Sequence, residues 1–461
     1  MNHALRGRFR LKMTAISCSG TCMKGPWRAI PILLWGGIFT ISSCSSPEGG
    51  TAAHPRRVNL TTKAWFPPVV PQQASSCAQH AGLYYLLACE INRARGGAAG
   101  DPSRRLSPYL AYGLLADDRS GRSHVVDGWL LSQETGVPSE ADLPAFSPRL
   151  MHGFDRYRRA LANRPASWNV LPLETEADLG NVLRKLDSGH PVACEFPIRG
   201  TKIVPFPEGM PSGCGAMVRQ WGQAGPGHAM VYAGYDLSIG RDANGDGRIC
   251  NDLDITGDGR ITLADWEQGA FLLVNPWGKG WGDRGMAWVL FREHALSQWP
   301  WARSVATVTA APAEPPRHML RLSLQCPDQS AVTLMAQSPG QAQPWQPLLF
   351  REASALGKPG NNVWEAFALL HRTGFRPPAQ PLQAPGGGPV ELGFAIPASH
   401  FSQTWSLQLS PRPGRRLSGT LAAAELVELS PGGQITRRFP LQGLPAAIPP
   451  AGAKWTASST R

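Results

Sequence analysis

The apolar pattern of this chain changes period near residue 190, and that change limits the possible folds more than any other feature. Before it, Leu83, Leu86, Leu87 and Ile91 recur at three- and four-residue spacing until Gly96-Gly97 closes the run. Stretches at 107–116, 126–135, 153–163 and 176–188 predict further helices, with Gly136 and Gly189 as stops. After it come short apolar runs at 191–196, 228–234, 270–274 and 286–291, which predict strands. Helices first and strands second is an α+β order. Residues 301–317, rich in Ala and Pro near their end, read as a linker. Alternating runs such as 319–324, 390–396 and 405–409 then predict an all-β, sandwich-like domain over 318–445, followed by a disordered tail at 446–461.

The N-terminal segment 1–43 reads as an export signal. Its basic residues precede an apolar run at 30–41 that is too short to span a bilayer, which takes roughly 20 apolar residues. The run ends in Ile41-Ser42-Ser43-Cys44, which resembles a bacterial lipobox. That resemblance implies lipidation of Cys44 and a membrane-anchored, exported protein, with 44–65 as a tether. The chain has 45 basic and 33 acidic residues, a net +12. Six of the basic residues and no acid lie in 1–43, so the remainder carries +6. That excess, with no concentrated basic stripe, gives no reason to expect a nucleic-acid partner. Beyond Cys44 six cysteines remain: Cys77, Cys89, Cys194, Cys214, Cys250 and Cys326. If one is a reactive thiol, the other five cannot all pair with one another.

Three short segments carry chemistry. Gln72-Gln73-Ala-Ser-Ser-Cys77 sets a cysteine at the mouth of a predicted helix. Gly227-His228-Ala opens a predicted strand. A third strand ends on Asn275-Pro-Trp277-Gly-Lys-Gly-Trp281-Gly, an amide followed by two indoles in a glycine frame. A thiol becomes a nucleophile when a helix N-terminus and an imidazole favour its thiolate. The imidazole in turn needs a neutral group to fix its tautomer. Asn275 would orient His228, and Trp277 would shield that hydrogen bond from water.

The order Cys, then Gly-His-Ala-x-x-x-x-Gly-Tyr-Asp, then Asn-x-Trp-Gly-x-x-Trp-Gly-x-x-Gly resembles the papain-like cysteine peptidases. Leu106-Ser107-Pro108 and Gly136-Val-Pro-Ser-Glu140 resemble the bacterial branch of that family. The resemblance covers roughly 66–295. It implies a helical lobe and a β-barrel-like lobe with the cleft between them, a domain spanning 66–300, peptide or protein substrates, and no cofactor in catalysis. Cys77, His228 and Asn275 take the catalytic positions, and the Cys77 backbone N–H with Gln72 those of the oxyanion donors. The chain departs from the family at Ala78, where an aromatic is usual, and at Met286, where a tyrosine is common. It also has proline at 71, six residues before the cysteine, so Gln72 and Gln73 are the candidate amides. A catalytically inactive scaffold that binds protein or cell wall is the alternative reading. A cell-wall amidase or transferase is the third. Oligomeric state is not encoded in any visible pattern.

Asn275 lies 198 residues after Cys77, and an insertion at 240–267 accounts for the length. It holds a tandem repeat of period twelve, beginning at Asp242 and Asp254, and each copy resembles an EF-hand or dockerin calcium loop. That resemblance implies structural Ca²⁺ held by Asp242, Asn244 and Asp246 in the first copy and by Asp254, Thr256, Asp258 and Asp265 in the second. Leu253 occupies position 12 of the first copy, so Asp252 or Asp254 would have to close it.

Overall fold

The computed structural model describes residues 54–116, 121–147, 152–206, 213–222, 224–351, 381–384 and 386–457. The predicted signal, Cys44 and the first part of the tether lie outside the described residues, as do the last residues of the tail.

The segment from Cys77 is one continuous helical rod of three runs. They are α1 (Cys77–Gln79), a π-type run (His80–Leu87) and α2 (Ala88–Arg95). The whole π-type run is buried, and wide helical turns of this kind occur preferentially near functional sites. The rod ends where Gly96 takes the left-handed conformation, φ 64°. The other helices are α3 (Tyr109–Leu115), α4 (Val125–Thr135), α5 (Phe154–Ala160), α6 (Glu176–Asp187) and α7 (Arg292–Leu296). Helix α4 packs closely on the rod at Gly82. The Trp129 indole donates to Gly82 O at 2.9 Å, and a Cβ on Gly82 would lie 2.9 Å from Val125 Cγ1. Helix α6 opens on a reciprocal cap between Thr175 and Asp178 and buries Leu179, Val182, Leu183 and Leu186.

The strands of this part are β1 (Arg57–Asn59), β2 (Pro165–Pro172), β3 (Val192–Arg199), β4 (Lys202–Pro205), β5 (Ala216–Gln220), β6 (Ala224–Gly240), β7 (Gln268–Val274), β8 (Met286–Leu290) and β9 (Ser304–Ala310). They form one sheet in the order β2-β9-β3-β6-β7-β8-β5-β4, with β1 pairing β6. Neighbours are antiparallel except β5 and β8. The long strand β6 is central, and fully buried Tyr232, Tyr235, Phe196 and Phe271 fill the core around it.

The remaining strands are β10 (His318–Gln325), β11 (Val332–Gln337), β12 (Val390–Ala395), β13 (Ser406–Pro411), β14 (Thr420–Leu429), β15 (Ile435–Pro440), β16 (Ala446–Ala447) and β17 (Ala453–Thr456). They make two antiparallel sheets, β12-β10-β14-β15 with β16 on β14, and β11-β13-β17. This all-β part rests on the helices. Phe154 N donates to Glu391 at 2.9 Å and Leu348 N to Glu134 at 2.7 Å. Tyr157 of α5 presses on Gly393, where a Cβ would come within 2.8 Å of its own Cβ. Burial pushes the Glu134 carboxyl up to about 7.

Three boundaries differ from the expectation. Residues 304–310, inside the predicted linker, are strand β9, which pairs with β2 and touches β3. The predicted tail contains β16 and β17, the latter in register with β13. The predicted tether contains β1, whose Arg57, Val58 and Asn59 face Asp236, Tyr235 and Gly234. In each case a short run among Pro, Gly or Ala finds a strand edge that local pattern cannot reveal. Among the described residues no helix is long and apolar enough to cross a membrane. Cys77, Cys89, Cys194, Cys214, Cys250 and Cys326 are all free thiols.

Candidate active site

Asn275 follows directly on β7, and its N–H donates to Gly285 O at 2.9 Å, closing the glycine-framed loop on itself. Its Oδ1 accepts two bonds, one from the Trp277 backbone N–H at 3.0 Å and one from His228 Nε2 at 2.9 Å. The first bond decides the second. A backbone N–H can only donate, so this atom is the amide oxygen, and the His228 nitrogen facing it must carry a proton. In the neutral ring Nδ1 then holds the free lone pair. This atomic detail answers why an amide ends the strand: it sets the tautomer of the imidazole.

Asn275 is fully buried, and its Nδ2 has no hydrogen-bond partner among the described residues. A buried unsatisfied donor costs about 1–3 kcal/mol, so the amide is held there for its oxygen. The Trp277 ring lies 4.7 Å from the His228 ring, tilted by 37°, and is 44 % exposed. It covers the pair on one side and faces solvent on the other.

The cysteine segment is tied to the same loop. Pro71 pairs with Trp277, and Gln72 N donates to Pro276 O at 2.6 Å. Gly278, at φ 81°, permits this approach, since a Cβ there would sit 2.9 Å from Pro71 N. From Gln72 the chain turns through Ala74, a non-glycine residue at φ 54°, and enters α1 at Cys77. The thiol is half-buried and lies against β6, where the Ala229 N–H, one residue beyond His228, pulls its pKa down. Among the described residues no hydrogen bond joins the thiol to the imidazole. Such contacts often tighten only when substrate binds.

The electrostatics of the pair follow from burial. Desolvation raises the Cys77 thiol, opposed by the Ala229 and Ala78 N–H groups and by Arg122 and reinforced by Glu195. Desolvation lowers His228 to about 4, opposed by its bond to Asn275. Each group resists charge alone. Moving the proton from sulfur to Nδ1 makes both charges together, and each then offsets the other.

The amide candidates separate cleanly. Gln73 Oε1 accepts from Phe146 N at 2.8 Å, outside the thiol's loop. Gln72 Nε2 donates to Ala74 O at 2.9 Å, across the turn that precedes Cys77, while its Oε1 is buried without a partner among the described residues. Two residues at the site gave no sequence signal. Tyr112 accepts from Ser75 N at 3.2 Å and is close enough for the Cys77 charge to act on it. Glu195 of β3 stands opposite Ala229 in register, on a strand whose other residues read simply as core.

The tandem loops carry the same bonding in both copies. Asp242 accepts from Gly245 N and Gly247 N at 2.6 and 2.9 Å, and Asp254 from Gly257 N and Gly259 N at 2.7 and 2.8 Å. Asn244 binds Asp246 through both amide atoms, and Thr256 reaches Asp254 at 3.4 Å. Asp246 and Asp258 each accept the N–H two residues on. Buried Asp265 closes the second copy, accepting from Ile255, Thr256 and Thr262 N. The first copy is closed by Glu267, which accepts from Ala243 N and Cys250 N, rather than by Asp252 or Asp254. It lies outside the period-twelve frame, which is why counting misses it. As the loops stand, their carboxylates cap backbone amides. Among the described residues no three Asp, Glu, His or Cys side chains are grouped as they would be around a metal ion.

No family model matches the chain, and no curated protein matches it. Solved structures similar to it include xylellain, a cysteine protease from Xylella fastidiosa, at 15 % identity and a TM-score of 0.36 over 56 % of this chain and 87 % of that one. Procathepsin L 3 from the larval midgut of Tenebrio molitor is similar at 14 % identity and a TM-score of 0.37, over 56 % of this chain and 71 % of that one. The bromelain protease from Ananas comosus in complex with the E64 inhibitor gives 13 % and 0.34, over 56 % of this chain and 100 % of that one.

Proposed function

We propose that the chain is a papain-like cysteine endopeptidase. The observation that carries this reading is the Asn275 oxygen, held by the Trp277 N–H and thereby fixing the His228 proton on Nε2. His228 Nδ1 takes the Cys77 proton, and the thiolate attacks the scissile carbonyl. The tetrahedral oxyanion is met by the Cys77 N–H and by Gln72 once its amide leaves Ala74 O. The imidazolium protonates the leaving amine, a thioester remains, and water releases it. Export, and anchoring to a membrane through a lipid on Cys44, belong to the same proposal.

The test is labelling of the protein with a peptidyl epoxide, mapped by mass spectrometry, with His228→Ala as control. An adduct on Cys77 that disappears in the control supports the pair. No adduct on a folded protein favours the second reading, an inactive scaffold used for binding, which draws on the Gln72 amide being engaged with Ala74 O. For the insertion we propose that Ca²⁺ draws the carboxylates off their backbone amides into a structural site. The test is a calcium-dependent rise in melting temperature that Asp254→Ala abolishes.

A further inference from the structure

Glu195 is a carboxylate in a place that explains itself poorly as structure. It sits on β3 facing Ala229, the neighbour of His228 on β6. Its charge opposes formation of the Cys77 thiolate, so its presence works against the chemistry proposed for the site. Room has been made for it. A Cβ on Gly227 would fall 1.8 Å from Glu195 Oε1, so only glycine beside the catalytic histidine lets the carboxylate lie there. Glu195 is half-buried, and no hydrogen bond or ion pair ties it to another described residue. Arg122, an exposed residue, acts on it only as a longer-range charge. A half-buried carboxylate with no partner among the described residues, one residue across the sheet from the candidate histidine, is a receptor for a cation.

We infer that Glu195 receives a basic side chain, arginine or lysine, of a peptide substrate near the scissile bond. The inference rests on the peptidase reading. The guanidinium or ammonium would form a charge-assisted hydrogen bond with Glu195 and cancel the negative charge that holds back the thiolate. A basic substrate thereby binds and favours the reactive form of Cys77 in one step. Desolvation holds the free carboxyl up at about 7. A bound cation lowers it, so preference for basic peptides grows as pH rises through neutrality. The other groups that feel this charge are the Cys77 and Cys194 thiols and Arg122.

The experiment scans fluorogenic peptides in which one arginine is walked across the positions flanking the cleaved bond, with leucine as reference. It is run on the wild-type protein, Glu195→Gln and Glu195→Leu. Expected is one position where arginine is favoured roughly 10- to 100-fold in kcat/KM, a ratio that collapses in both variants. An alkylguanidinium salt should compete against the arginine peptide in the wild type, a readout needing no variant. A neutral alkylating reagent should react faster with Cys77 in Glu195→Gln. Labelling of Cys77 with no arginine preference at any position, or with a preference unchanged in both variants, overturns the role of Glu195 and leaves the peptidase reading standing. No labelling of Cys77 in folded wild-type protein overturns both.

Discussion

Two buried histidines of this molecule are pushed to the same acidity by the same cause and are held in different ways. His228 is at the candidate active site and His294 is in the core, both are buried, and desolvation lowers both to about 4. His294 has both nitrogens engaged, Nε2 with the Tyr232 hydroxyl at 2.8 Å and Nδ1 with Ala302 O at 2.5 Å. His228 has one engaged with Asn275 and the other unengaged among the described residues. A shifted acidity therefore does not mark the reactive ring. An uncommitted lone pair on a ring whose partner fixes the tautomer is what the peptidase reading requires, and of the two rings His228 has it.

The largest effect expected from this contrast is on activity. His228→Ala should lower kcat/KM by at least about 1,000-fold, with a folded protein by circular dichroism. His294→Ala should instead lower stability by about 2–4 kcal/mol while each folded molecule still labels at Cys77. Equal loss of labelling in both would erase the distinction. Next comes Asn275→Ala, expected to cost roughly 100-fold in kcat with a smaller change in KM. An unchanged kcat would show that the imidazole needs no orienting oxygen.

The pH dependence of stability sharpens the comparison further. Both folded-state values lie below the ordinary histidine value near 6.5. Between about pH 6.5 and 4 the unfolded chain takes up protons that the folded chain refuses, so stability falls as pH falls through that window. His294→Gln should flatten this slope whatever the state of Cys77. His228→Gln should remove that ring's share of the slope only in a Cys77→Ala background, because a thiolate beside the wild-type ring would let it stay protonated. Urea unfolding at several pH values separates the cases. Calcium gives the smallest effect. The insertion joins β6, which carries both His228 and the Tyr232 partner of His294, to the strand leading to Asn275. Loading should raise the melting temperature by a few degrees, about 1 kcal/mol for a protein of this size, and alter Cys77 labelling less than the histidine changes do.

Cys77, His228 and Asn275 are legible in the sequence because each has a position along an element: Cys77 opens α1, Asn275 follows directly on β7, and His228 heads the apolar run 228–234 within β6. The helices before residue 190 are legible for the same reason. Glu195 is not, since it stands in a run whose neighbours Cys194 and Phe196 are fully buried, and only the register with Ala229 places it beside the histidine. Glu267 is hidden because it closes a loop that began 25 residues earlier. Strand β9 carries a string of small and β-branched residues that reads equally as a spacer, and its partners β2 and β3 lie more than a hundred residues upstream. Long-range pairing is what local patterns omit.

Strand β1 has a mechanical consequence. The chain's approach to the first helix is stitched for three residues to β6 at Gly234–Asp236, and fastened beyond that by Tyr235 to Pro55 O at 2.9 Å and by His54 to Asp187 at 2.6 Å. The same β6, a few residues back, carries His228. Tension applied from the N-terminal side would load this short zipper in shear before it reached any other element. The strand bearing the imidazole would thus be the first part of the sheet to feel a pull from that side.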